Sequence, residues 1–169
     1  MSGRARWRIG WRPQAWRKQI FEGGVTIGDV KLRPHHLLCI QGFRGQGYSA
    51  RFVANLARLI DRLQTDPDLQ VRIVAGADDV CLACPHLSLG DCRCSDLNVD
   101  DLDRKISDQL GIAEGDAGTW PSFLNVLKQK VASHQINDFC TGCRWFDFNY
   151  CINGIEALNT RQNEGAESP

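Results

Sequence analysis

No uninterrupted apolar stretch in this sequence approaches the roughly 20 residues that a membrane-spanning helix needs. Net charge is also missing: 20 lysines and arginines are matched by 20 aspartates and glutamates. The basic N-terminus lacks the continuous apolar segment and the small-residue cleavage site of a secretion signal. Gly42, Gly45 and Gly47 have neither a preceding strand nor a following Lys-Ser/Thr, so they read as a plain loop rather than a phosphate cradle. A Ser/His/Asp arrangement for nucleophilic hydrolysis is absent too. These absences argue against a transmembrane protein, a P-loop enzyme and a triad hydrolase, and they lead to the expectation of a cytoplasmic, reducing location.

The charge is unevenly spread. Residues 1–24 carry six basic residues against Glu22 alone, so the remainder is acidic by the same margin. A main domain with an acidic balance is not expected to bind nucleic acid specifically. Trp7, Trp11 and Trp16 interleave with arginine in that first segment. Such a segment could lie on a membrane surface or contact nucleic acid, but it reads best as a disordered Arg/Trp-rich extension. With 43% hydrophobic residues, the chain can bury one core. The expected organisation is a basic extension over 1–24, a single cysteine-rich domain over 25–158 and a polar tail over 159–169.

What the sequence does have is cysteine, eight residues of it. Cys81-x-x-Cys84 is followed after seven residues by Cys92, and Cys140-x-x-Cys143 is followed after seven residues by Cys151. One spacing used twice, 59 positions apart, points to thiolate–metal chemistry. Each copy supplies three ligands where a closed zinc site or a fully ligated cluster takes four. Cys39 and Cys94 remain, so three plus one, twice, accounts for all eight. Two other partitions stay open. The two CxxC pairs could join in one site, or three cysteines could hold a cluster with one iron open to another ligand.

Phe139, Trp145, Phe146, Phe148 and Tyr150 surround the second copy, and an apolar collar protects a cluster and tunes its potential. Pro85 after Cys84 echoes the Cys-Pro of bacterial ferredoxins. Iron–sulfur is therefore the leading reading, with zinc as its alternative. His35, His36 and His86 are candidate additional ligands alongside Cys94. His35 and His36 would share a helical turn with Cys39, a face that an enzyme could use. Asp78-Asp79 read as turn formers, and Asp100, Asp101 and Asp103 as helix N-terminal charges.

The regular elements follow from spacing. Val25, Ile27, Val30 and Leu32 suggest a short or bent strand, and Val71, Ile73 and Ala75 a second one to pair with it. Pro34 opens a helix, Ser49 caps another that Asp66-Pro67 stops, and Gly111 ends a third. Trp120, Phe123, Leu124, Leu127 and Val131 mark a fourth, starting near Thr119. The expected fold is α+β and predominantly helical, a small compact domain with a short sheet and two cysteine-rich metal-binding loops.

Several ordered motifs carry a family resemblance. They are Arg33-Pro34-His35-His36-Leu37-Leu38-Cys39, Gly45-Gln46-Gly47-Tyr48-Ser49 with Asn55, Asp79-Val80-Cys81-Leu82-Ala83-Cys84-Pro85, and Phe139-Cys140-Thr141-Gly142-Cys143-Arg144-Trp145. Over about residues 30–155 the chain resembles an uncharacterised family of small prokaryotic proteins catalogued as domain of unknown function 1284. The resemblance implies iron–sulfur binding, with Cys39, Cys81, Cys84, Cys92, Cys140, Cys143 and Cys151 as the family-like cysteines. Cys94 and the N-terminal extension look like additions, which weighs against two complete four-cysteine sites. The functional expectation is an iron–sulfur protein in electron transfer or redox sensing, working with a redox partner protein. The alternatives are a zinc-stapled interaction module and an enzyme using an open cluster iron or the His35/His36/Cys39 face.

Overall fold

The structure is a computed structural model that describes residues 28–94 and 98–160. The expected extension over 1–24, the expected strand residues 25–27 and residues 161–169 of the expected tail over 159–169 lie outside the described residues, while Asn159 and Thr160 of that tail end a helix.

Strand β1 (Val30–Leu32) buries both valine and leucine and runs parallel to β2 (Gln70–Ile73), with Val30 opposite Val71 and Leu32 opposite Ile73. Parallel neighbours need a crossover. Here it is made by α1 (Pro34–Gly42) and α2 (Ala50–Thr65). Pro34 sits in the first turn of α1, where its missing N–H costs nothing. Ser49 caps α2 by accepting from the Phe52 N–H at 3.1 Å. β2 stops at Ile73, short of the expected Ala75, and pairs antiparallel on its other side with β5 (Ala117–Thr119).

Helix α3 (Val99–Leu110) is capped by Asn98 and ended by Gly111 in the left-handed region at φ +69°. Thr119 caps α4 (Trp120–Lys130). The short α5 (Ile136–Cys140) and then α6 (Tyr150–Thr160) complete the described chain. Leu32, Leu37, Leu63, Ile106, Phe123, Leu127 and Ile155 meet in one fully buried core, so the sheet and helices form the expected α+β, mostly helical domain.

Helix α1 lies at the centre of this arrangement, packed on α6 and α3. Two glycines set its approach to α6. A Cβ on Gly42 would fall 2.6 Å from Cys151 Sγ and 2.8 Å from the Cys151 backbone nitrogen. A Cβ on Gly154 would strike the Gln41 carbonyl oxygen. The two backbones therefore come closer than side chains would permit, and Cys39 on α1 is carried to Cys151 on α6.

Candidate metal centre

The repeat in the sequence is also a repeat in the backbone. Cys84 N–H donates to Cys81 C=O at 2.9 Å, and Leu87 N–H to Cys84 C=O at 3.1 Å. In the second copy, Cys143 N–H donates to Cys140 C=O at 2.9 Å and Phe146 N–H to Cys143 C=O at 2.9 Å. Each CxxC is thus one tight turn followed by another, which gathers its two sulfurs on one side. The third cysteine then arrives differently. Cys92 ends β4 (Asp91–Cys92), which pairs with β3 (Leu87–Ser88) in a hairpin, whereas Cys151 lies in the first turn of α6. The hairpin tip, Leu89-Gly90, has both residues at positive φ, as a primed turn requires.

All eight cysteines line one cavity of about 150 Å³, and none of them is in a disulfide. Within the cavity they fall into two groups. Cys39 donates a hydrogen bond to Cys151, and Cys140 and Cys143 are its other thiol neighbours. Cys94 is hydrogen-bonded with Cys92 and Cys84, and Cys92 is in turn a neighbour of Cys81. Trp145, Phe146 and Tyr150 of the expected aromatic collar wall the cavity, while Phe148 is half exposed and stacks on Tyr150.

The thiols differ in acidity. The hydrogen bond from Cys39 and the charge of Arg44 lower Cys151 against the effect of burial, and the same hydrogen bond and burial raise Cys39. Burial pushes Cys140 up to about 12. Burial and the contact with Cys92 push Cys94 up to about 12, and burial and the charge of Asp78 raise Cys81. A metal held by these thiols would have to displace their protons.

His35 and His36 line the same cavity with ring centroids 4.1 Å apart. Each is tied at Nδ1 to a carboxylate at 2.6 Å, His35 to Asp103 and His36 to Asp78. Asp103 also accepts from His35 N–H and Arg33 Nε, and Arg33 reaches Asp100. Burial and the neighbouring His36 lower the pKa of His35.

His36, Asp78 and Cys81 each bring one ligand atom within 4.8 Å of the others, close enough to hold a metal ion. Asp78, however, is already fully engaged. Its Oδ2 accepts from Arg33 N–H and His36 Nδ1, and its Oδ1 from the N–H groups of Val80 and Cys81. Burial opposes its ionisation, but the charge and hydrogen bond of His36 and the Arg33 amide outweigh that and hold it at about 2. Asp78 therefore orients donors rather than serving as one, in the manner of the carboxylates behind metal-bound histidines.

Asp78 forms the expected turn, accepting at Oδ1 from the Val80 and Cys81 amides, and in addition it is buried and holds His36; Asp103, expected as a helix N-terminal charge, is buried within α3 and holds His35 and Arg33. Arg44 was not singled out. His86 does not line the cavity; its ring packs edge-on against Tyr48 at 4.6 Å. Among the described residues, no helix is long and apolar enough to cross a membrane.

No curated protein and no solved structure matches this chain. One family does match, over residues 47–151, which takes in both CxxC turns, Cys92, Cys94 and Cys151 but leaves out Cys39 and the two cavity histidines. That stretch is more than half of the chain, and it makes the chain a member of the family described as protein of unknown function DUF1284.

Proposed function

We propose that this protein binds iron–sulfur clusters through its cysteines and works in electron transfer or redox sensing, exchanging electrons with a partner protein in a reducing compartment. The observation that carries the reading is the convergence of eight thiols, none in a disulfide, on one cavity. The donor set is soft and all sulfur, which suits clusters and zinc and disfavours hard cations. The walls favour the cluster: Trp145, Phe146 and Tyr150 help to make them largely apolar, and low polarity around the sulfurs tunes a cluster's potential. When bound, a cluster would supply one-electron chemistry. The chain's own residues hold the ligands in place, surround them with apolar groups and orient His36.

Anaerobic purification with iron, zinc and acid-labile sulfide analysis tests this. Brown protein with iron and sulfide in equal amounts is expected. Colourless protein with stoichiometric zinc and no sulfide would replace the reading with that of a zinc-stapled module.

One observation favours a second reading. His35 and His36 are held by carboxylates on the cavity wall, an arrangement that suits proton handling or substrate contact beside a metal. An enzyme would then use this face. Loss of turnover of a candidate substrate in a His36→Gln variant with unchanged metal content would support it.

A further inference from the structure

The metal-binding reading leaves the ligand partition open, and the packing of the thiols bears on it. Cys39 lies one helical turn before Gly42, and Gly42 packs on Cys151 so closely that a Cβ would stand 2.6 Å from its Sγ, which puts Cys39 with the second repeat. Cys92 pairs with Leu87, whose N–H donates to Cys84 C=O, so Cys92 and the Cys94 that follows it return onto the first repeat. The two leftover cysteines thus divide one to each repeat, each beside the third cysteine of that repeat.

The scaffolds are as separate as the sulfurs. The second repeat is completed across a helix crossing, where Gly42 and Gly154 let α1 approach α6 until Cys39 meets Cys151. The first is completed within one short stretch of chain, where the β3–β4 hairpin folds Cys92 and Cys94 back over the Cys81–Cys84 turn. Arg93 N–H, between those two cysteines, donates to the His86 carbonyl at 2.8 Å and fixes that return. A single site made from the two CxxC pairs would leave both hydrogen-bonded thiol pairs without a role.

We propose that the chain carries two distinct four-thiolate metal sites opening on one cavity, Cys39–Cys140–Cys143–Cys151 and Cys81–Cys84–Cys92–Cys94. This rests on the metal-binding reading but not on the identity of the metal. Cys94, which looks like an addition in the sequence, is then the closing ligand of the first site, as Cys39 is of the second.

The test uses the full chain, stripped of metal and titrated anaerobically with Co(II), whose visible bands report tetrahedral thiolate ligation. Sulfide analysis of the protein as purified decides the cluster reading separately, so the two can fail independently. Wild type should take up one cobalt ion for each four-thiolate group. Cys39→Ala and Cys94→Ala should each bind half as much with full thiolate character, and the double variant none in that form. Far-UV circular dichroism checks the fold, and Cys143→Ala replaces Cys39→Ala if the latter unfolds. Unchanged cobalt binding in Cys94→Ala, or complete loss in either single variant, would overturn the partition.

Discussion

Cys151 and Cys94 lie in two regions of one cysteine-lined cavity, and their surroundings differ. Cys151 lies on a helix, accepts a hydrogen bond from Cys39 and has Arg44 nearby, and its thiol is lowered. Cys94 follows a two-residue strand, and burial and the Cys92 and Cys84 thiols beside it push it up to about 12. The CxxC turns themselves are nearly superposable in hydrogen bonding. What differs is the segment that brings the remaining cysteines, a helix crossing in one case and a hairpin in the other. Equal spacing in a sequence therefore gives equal local turns, while the readiness of a thiol for metal is set by its tertiary neighbours.

The comparison can be broken most forcefully at the helix crossing. Gly154→Ala drives a methyl group against the Gln41 carbonyl. Such overpacking costs about 1–3 kcal/mol. It should abolish binding at the Cys39 group while the Cys94 group keeps its metal, as measured by urea unfolding and by metal content.

Acid acts on the other group, because Asp78 clamps the chain at Val80 and Cys81. Its carboxyl titrates at about 2 in the folded protein against an ordinary 3.8. Between those values the unfolded chain binds more protons, so the stabilisation is fully present above about pH 4 and is lost as the pH falls toward about 2. The shift corresponds to about 2 kcal/mol. Urea midpoints for the metal-free protein should fall across that window, and Asp78→Asn should flatten the dependence.

A smaller effect separates the groups chemically. Arg44→Ala removes a positive charge that favours the Cys151 thiolate. Each unit of rise lowers the thiolate fraction about tenfold at a pH below the pKa. Alkylation of Cys151 in the metal-free protein, followed by mass spectrometry, should slow. Alkylation of Cys94 should not change.

Smallest is the hairpin tip. Leu89 is 96% exposed and holds φ +52°, a conformation that a leucine adopts at a cost. Leu89→Asn should stabilise the hairpin by about 0.5–1 kcal/mol and slow metal loss from the Cys94 group to a chelator.

Much of the fold was legible because its signals are local. Pro34, Ser49 and Gly111 mark helix ends by backbone chemistry that needs no partner, and the apolar spacing of Phe52, Leu56, Leu59 and Leu63 defines a buried helix face. The CxxC turns were legible for the same reason. The assembly of the site was not. Arg33, His35 and His36 meet Asp103 and Asp78 across 42 to 70 positions, so those aspartates looked like ordinary turn and helix-start residues. Cys39 reaches Cys151 only because Gly42 and Gly154 permit a close crossing, and a glycine in a sequence does not say what it approaches. Cys94 looked surplus in linear order because its role depends on a hairpin built from two-residue strands, too short for a periodic pattern to show.

The most direct test of the central claim is an anaerobic reductive titration of the full chain, followed by visible absorption and electron paramagnetic resonance. The account predicts one reducible iron–sulfur centre for each cysteine group, with Cys94→Ala removing one signal and leaving the other. A protein that bleaches at no potential, gives no resonance on reduction and carries only zinc would contradict it.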